Sequence, residues 1–588
     1  MSEAKGMDIF MTGFSEDAIS ILEKRYLLKN AAGEVIEVPE QLLMRVARTV
    51  AAVEKDQAFW EESFYSIMLA KRFFPNSPTL ANAGRKNGQL AACFVLPVPD
   101  SIEGIFGTMK RAALVHKTGG GTGFSFSDIR PSGDPVSSTG GVASGPLPFI
   151  KAFNCATDAV KQGGMRRGAN MAVMKYSHPD IFEFIAAKQE EGILANFNLS
   201  VGVSNEFMNK SAHGGSVTLV NPRTGNPSRQ VKACDLFEAM VMAAWDNGEP
   251  GILFMDRINE ANTVPGLGRL EATNPCGEQP LFGYECCNLG SLNLPQYLRI
   301  NGGNYEIDWD LLERDILTAV RFLDNVIDVN YYPFPETEAL AQGNRKIGLG
   351  IMGFADFLIR LGIPYASDAA IETANTLMGF INRKAREAST RLSEEKGSFF
   401  NMKKSVFKGS MRNATVTTIA PTGTLSLLAG TSSGIEPLLG LNFIKEALEG
   451  NKFAVTYPYF AEVGERRGFL TPGLMEEVNE KGSLRDITGV PEDVRSVFAT
   501  AFEIPAEWHI KVQAAFQRHV DNAVSKTINF PNGATVEDVR QAFFTAWKLG
   551  CKGLTIFREG SRENQVMRFA GKDKEPDNFG ERCAVCAD

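Results

Sequence analysis

The 588-residue sequence has no run of about eighteen apolar residues, so it offers no candidate membrane-spanning helix. Its first residues, MSEAKGMDIF, lack the apolar stretch of a secretory signal. The expected location is therefore cytoplasmic, with no membrane partner. Positive charge is not in excess: 61 basic residues against 69 acidic ones give a formal net charge of −8, and the isoelectric point is near 5.5. That balance argues against nucleic acid as a partner, while local basic clusters can still hold small anions. Nine cysteines, odd in number and unevenly spaced, do not make an extracellular disulfide framework. In a reducing compartment such thiols are catalytic, redox-active or simply buried. No internal repeat stands out.

What is present is an ordinary globular composition, 44% hydrophobic and 22% charged, long enough for a large core and more than one domain. From about Asp17 to Lys71 the apolar spacing is helical, through Ile19, Ile21 and Leu22, then Leu42, Leu43, Val46, Val50 and Val53, then Phe59, Phe64, Ile67 and Leu69. Residues 1–75 are read as an N-terminal helical layer whose leader is too short for a further regulatory domain. From Asn76 to about residue 570 short β-prone runs alternate with amphipathic helices, an α/β pattern in which ligand sites gather at strand ends. Ala92 to Leu96 is one such run, and Ile102 to Val115 reads as a helix. Residues 571–588 are polar and read as a flexible tail.

Four stretches carry chemistry. In Asn274-Pro275-Cys276-Gly277-Glu278, Pro275 favours extended backbone, which would point an amide, a thiol and a carboxylate to one face. Such a patch holds a hydrogen-bonding group, a nucleophile or radical carrier, and an acid or base; an inert buried cysteine is the plain alternative. Thr415 to Ser426 reads as a β-branched strand, a turn and a helix start, either a simple capped turn or an anion site. It lacks the lysine of the Gly-x-x-x-x-Gly-Lys-Ser/Thr loop. The segment from Lys161 to Gly168 combines glycines with three cations, which suits either a solvated loop or a phosphate contact. Finally, Cys583-x-x-Cys586 has no second ligand pair to complete a zinc site, so no metal is assigned. A tail dithiol suits thiol–disulfide exchange, with Cys93 and Cys287 as candidate substrates.

Taken together, Asn76 to Leu80, Ala92 to Leu96, Gly119 to Gly123, Gln162 to Asn170, Asn274 to Leu281, Cys287 to Ser291 and Ala420 to Ser426 resemble the catalytic subunit of ribonucleotide reductases. The likeness is greatest to class II, the adenosylcobalamin-dependent ribonucleoside-diphosphate reductases. It implies a ten-stranded α/β barrel of two five-stranded half-sheets, with a finger loop carrying Cys276 to the centre. Cys276 would be the thiyl radical, Glu278 the base for the 3′-hydroxyl, Asn274 a partner of the sugar hydroxyls, and Cys93 with Cys287 the source of two electrons. Cys286 has no role in that pattern.

The resemblance also places the substrate diphosphate on Pro421, Thr422, Gly423, Thr424 and Ser426, with Ser77, Thr79, Ala92 and Gly121 lining the nucleoside. A deoxynucleoside-triphosphate specificity effector would meet Asp100, Ser101, Arg130, Lys161, Gln162 and Arg166. Cys583 and Cys586 would pass electrons from a thioredoxin- or glutaredoxin-like reductant, in a homodimer. Class I subunits carry an adjacent tyrosine pair in the stretch that matches Lys552 to Arg562, and this sequence has no tyrosine there. The class III Arg-x-x-Gly-Tyr context is approached by Arg568 to Lys572 but lacks its tyrosine. Elimination leaves adenosylcobalamin as the radical source. The alternatives are a class I-like subunit with a separate metal-radical partner, and a non-catalytic nucleotide-binding homologue.

Overall fold

The computed structural model describes residues 13–136, 140–160, 168–190, 192–447, 451–562 and 567–569. Three helices come first: α1 (Glu16–Arg25), α2 (Pro39–Ala51) and α3 (Gln57–Leu69). Ser15 caps α1 by accepting from the Ala18 N–H, and Pro39 opens α2, where its missing N–H is not needed. Leu42, Leu43, Val46 and Val50 recur at helical spacing and are buried. Val53 and Phe59 depart from the expected core and stay exposed, because α2 ends at Ala51 and α3 turns Phe64, Ile67 and Met68 inward. Edge-on ring contacts dock this layer on the strands: Phe64 to Phe322 at 5.1 Å and Phe322 to Phe73 at 5.4 Å.

Ten strands form one mixed sheet. They are β1 (Phe73–Pro75), β2 (Cys93–Val95), β3 (Gly121–Ser125), β4 (Asn170–Lys175), β5 (Phe197–Val203), β6 (Gly251–Phe254), β7 (Cys286–Asn293), β8 (Ile347–Met352), β9 (Thr527–Phe530) and β10 (Gly553–Arg558). β2 to β6 run parallel in sequence order. β7 pairs parallel with β8, and β9 with β10. The two sets meet head to tail, β2 against β7 and β6 against β10, both antiparallel. β1 is an additional antiparallel edge on β7.

Between β8 and β9 the ladder is reduced to isolated parallel bridges, Leu349 with Thr417 and Ile419 with Val524. Val524 lies three residues before β9, so covalent continuity completes the circuit that hydrogen bonds leave open. Counting the bridged runs 415–419 and 522–525, the second half also has five members, the latter run being continuous with β9. Strands buried on both faces, such as Ile347–Met352, read as unbroken apolar runs with glycine, as parallel strands do.

The inner face carries its own apolar cluster, including Cys93, Val95, Met171, Val173, Leu253, Cys287 and Leu289, with Ala272, Leu281 and Phe282 from the loop inside. Separate clusters lie on the outside of each half, under the helices. The Gly/Ser-rich segment after Ser132 contains a small ribbon of Pro135–Val136 with Gly141–Val142. Among the described residues no helix is long and apolar enough to cross a membrane.

Candidate active site

The loop inside the sheet is a hairpin. Ala272 and Thr273 pair antiparallel with Leu281 and Pro280, and residues 274–279 form its tip. The extended backbone expected for this stretch is not what is found. The Gly277 N–H donates to the Asn274 carbonyl at 3.1 Å, closing a turn with Pro275 second and Gly277 last, at φ +82°. Proline presets φ at the second position and glycine tolerates the left-handed conformation, so the same residues that suggested a strand build a turn. The Asn274 side-chain carbonyl accepts from the Gln279 N–H at 2.9 Å and locks it.

Both half-sheets grip this hairpin. A Cβ on Gly123 would stand 1.7 Å from the Thr273 carbonyl oxygen, and one on Gly121 would stand 2.9 Å from the Pro275 ring, so only glycine allows the approach. Asn198 donates to the Pro275 carbonyl at 2.9 Å from β5. From the other half, the Ala523 N–H and the Thr418 hydroxyl donate to the Glu278 carbonyl at 2.9 and 3.0 Å.

The turn brings Asn274 and Glu278 to one thiol. The Asn274 amide donates to Cys93 Sγ at 3.2 Å, and the Cys93 thiol lies 3.9 Å from Glu278 Oε1. All three side chains are buried, whereas Cys276, at the third position of the turn, is half-buried. Cys93 stands directly opposite Cys287 in the β2/β7 register, both present as thiols. Opposed residues of an antiparallel pair have Cα atoms about 4.5–5.5 Å apart, within disulfide range. Cys287 donates to the Asn288 and Lys346 carbonyls, each at 3.4 Å. Burial, then Cys286 and Glu285, push its thiol well above the ordinary range. Cys286 takes the alternate face, packs into the outer core, and is raised by burial and Glu285.

Three residues past Thr418 the chain enters the turn Pro421 to Ser426 and the helix Gly423–Ala429. Thr422 sits at φ +53°, unusual for a β-branched residue, and its hydroxyl is fixed by the Gly434 N–H at 2.8 Å. Ser426 shares a hydrogen bond with Ser433 at 2.9 Å. Two residues of α1 and its cap reach this place: Arg25 donates to the Thr424 hydroxyl at 3.2 Å, and the Tyr26 hydroxyl meets Ser77 at 2.9 Å.

The comparisons with known proteins fall on the same residues. A family model described as ribonucleotide reductase, barrel domain, matches 91–410 and 401–557, and one described as ribonucleotide reductase, all-alpha domain, matches 12–88. The chain belongs to the ribonucleotide reductase family. Among its relatives, the vitamin B12-dependent ribonucleoside-diphosphate reductase of Mycobacterium tuberculosis is 48% identical over 561 residues, covering 94% of this chain and 79% of that protein. The enzyme of the same name from Thermoplasma acidophilum is 44% identical over 615 residues, covering 94% and 80%. Among solved structures, the Actinobacillus ureae class Id ribonucleotide reductase alpha subunit superposes with a TM-score of 0.77 at 22% identity, over 94% of this chain and 98% of that one. That likeness supports the fold.

In this reductase the other expected positions are placed as follows. Thr79 is fully buried and spends its hydroxyl on the Leu90 carbonyl at 3.0 Å, and the Ala92 N–H donates to the Cys287 carbonyl at 3.1 Å, so both brace β2 and β7. Asp100 and Arg130 form an ion pair at 2.8 Å, and Ser101 caps the helix Ile102–His116 beside them. Lys161, Gln162 and Arg166 lie outside the described residues, as do Cys583 and Cys586. The stretch Lys552 to Arg562, without a tyrosine, carries β10 (Gly553–Arg558). Sequence reasoning missed Arg25, Tyr26, Asn198 and the buried pair of Glu285 and Lys346. Of these, only Glu285 carried a local signal, an acid two residues before a site cysteine.

Proposed function

We propose that the chain reduces ribonucleoside diphosphates to 2′-deoxyribonucleotides by thiyl-radical chemistry dependent on adenosylcobalamin. The observation that carries this reading is the convergence of Asn274, Glu278 and the Cys93/Cys287 pair inside the barrel, with a half-buried Cys276 on the turn between them. In this scheme the Cys276 sulfur takes the ribose 3′-hydrogen and later returns one. Glu278 accepts the 3′-hydroxyl proton while Asn274 holds the sugar hydroxyls. The 2′-hydroxyl departs as water with a proton from the Cys93/Cys287 pair, which supplies two electrons and ends as a disulfide. Ribonucleotide plus two thiols thus gives deoxyribonucleotide, water and one disulfide.

The diphosphate rests on the turn Pro421 to Ser426, whose strained Thr422 is the kind of outlier that collects at functional sites. Arg25 supplies the positive charge that the turn's own sequence lacks. A radical source must reach Cys276 from outside, and the turn is open on that side: a Cβ on Gly277 would meet nothing within 4 Å. Pro275, Cys276 and Gly277 would face it. Adenosylcobalamin, when bound, supplies an organic radical at that point. The names of the relatives support the cofactor and the diphosphate. A deoxynucleotide effector near Asp100 and Arg130, recharging through Cys583 and Cys586 by a thioredoxin-like partner, and a homodimer complete the proposal.

The test is turnover of the purified chain with a ribonucleoside diphosphate, a dithiol, and adenosylcobalamin either present or omitted. Activity only with the cofactor is expected. Activity that needs a separate metal-bearing subunit instead would overturn the cofactor assignment.

A further inference from the structure

Directly beside the Cys93/Cys287 pair lies an ion pair that the scheme above leaves unused. Lys346 Nζ is 2.8 Å from Glu285 Oε2, and both residues are buried, at 3% and 0% exposure. The Glu285 carboxylate also accepts from the Asn344 amide at 2.6 Å and the Phe282 N–H at 2.9 Å, and the ammonium lies 4.7 Å from the centre of the Phe282 ring. Glu285 precedes Cys287 by two residues on the same run of chain. Lys346 enters from the head of the adjacent β8, and its own carbonyl is a hydrogen-bond partner of the Cys287 thiol. Burying such a pair costs roughly what its attraction returns, so stability alone does not explain it.

The groups facing Cys287 are Glu285 and Cys286 from its own chain, Glu278 from the finger loop, Cys93 across the register, and Lys346 from β8. Of the charged groups, Glu285 and Glu278 disfavour a thiolate and Lys346 favours it. Lys552 is a second buried amine, pushed down to about 8 by burial, with Lys346 adding to the shift and Asp521 opposing it. Cys287 is turned toward two backbone carbonyls, whereas Cys93 faces Asn274 and Glu278 on the side of the half-buried Cys276. A reductant entering past Cys276 therefore meets Cys93 first, which makes Cys287 the leaving sulfur.

We propose that the Glu285/Lys346 pair sets the ease with which the Cys93–Cys287 disulfide is reopened, Lys346 steadying the Cys287 thiolate as it leaves and Glu285 tempering that effect. The inference rests on the reading of Cys93 and Cys287 as the redox couple. In the step, a thiolate of an external dithiol attacks Cys93 Sγ, the Cys93–Cys287 bond breaks, and its electron pair stays on Cys287. The second thiol of the reductant, as thiolate, then attacks its partner sulfur in the mixed disulfide and releases Cys93. The two protons lost by the reductant end on Cys93 and Cys287, and the reductant leaves as a disulfide. A better-stabilised leaving thiolate departs faster.

The experiment takes the full-length chain with Cys583→Ser and Cys586→Ser, so that its own tail cannot reopen the pair, oxidises it by one round of substrate reduction and follows reopening by dithiothreitol, with alkylation of the released thiols read by mass, across a pH series. Two variants move the rate in opposite directions. Glu285→Gln keeps the shape but removes the negative charge, and reopening is expected to quicken across the pH series, the profile itself following ionisation of the dithiothreitol thiol. Glu285→Gln combined with Lys346→Met, which leaves no lone buried charge, is expected to slow reopening about tenfold or more relative to Glu285→Gln alone. Lys346→Arg should retain most of the native rate. Packing damage would not accelerate one variant and retard the other. If the disulfide forms and both variants reopen with the native rate and profile, the inference falls and the redox reading stands. If alkylation finds no Cys93–Cys287 disulfide after turnover in the chain without its tail thiols, both fall together.

Discussion

Two buried polar clusters in this reductase are built on opposite plans. Around Asp324, on the outer side of the second half-sheet, each carboxylate oxygen is matched to a hard donor. Asp324 Oδ1 accepts from Arg345 at 2.8 Å and Asn413 at 2.9 Å, and Oδ2 accepts from Arg412 at 3.1 Å. Arg345 in turn forks onto Asp328 at 2.7 and 2.9 Å. Burial pushes Asp324 up, but Arg345 and Arg412 outweigh it and hold the carboxyl below its usual range. Inside the barrel, Glu278 and Asn274 instead meet a thiol, through contacts of 3.9 and 3.2 Å. The first cluster has settled its charges and resists change. The second is held by soft contacts, which under the proposed scheme a substrate would replace, as acid–base and radical chemistry would require.

Substitutions can break that contrast. Cys276→Ser should abolish turnover while nucleotide binding and the melting temperature stay near native; an active variant would remove the radical assignment. Glu278→Gln should lower kcat by about 10²–10⁴-fold, the span of a lost general base, with the fold intact. Asp324→Asn should do the reverse. Stability should fall by about 3–5 kcal/mol because Arg345 and Arg412 lose a buried partner, while the folded enzyme keeps its kcat. Its pH dependence has a defined sign. A carboxyl held low in the folded state contributes stability that is complete above its unfolded pKa and is lost as pH falls through the folded value. Melting curves for native and Asp324→Asn chains should therefore stay apart down to about pH 4 and converge only at lower pH. The smallest effect is expected of Arg25→Ala, a rise in KM of about tenfold for a diphosphate substrate, in line with loss of one charge-assisted hydrogen bond. An equal rise for a nucleoside without phosphate would show that the arginine acts elsewhere.

The two clusters were not equally legible in the sequence. The site residues stood in short motifs, because the chemistry needs particular side chains at fixed offsets on one loop. Their arrangement was not legible: Pro275 and Gly277 serve a turn as readily as an extended run, and only the grip of both half-sheets decides. Periodicity placed the helices of the N-terminal layer but carried on too far, to Val53 and Phe59, since a pattern does not mark where the chain leaves the core. Run 415–419 was legible as a β-branched strand, whereas run 522–525 was not, and both join the sheet through single bridges. The Asp324 network and the reach of Arg25 to Thr424 join residues up to 399 positions apart, and no local pattern encodes such a meeting.

The contacts made by Arg25 and Tyr26 bear on how such an enzyme can be recombined. Because the end of α1 touches Thr424 and Ser77, the helices ahead of the barrel form part of the wall around the proposed phosphate turn. A hybrid that joined the first three helices of one relative to the thiols and strands of another would take Arg25 of that wall from one parent and the turn and the thiols from the other.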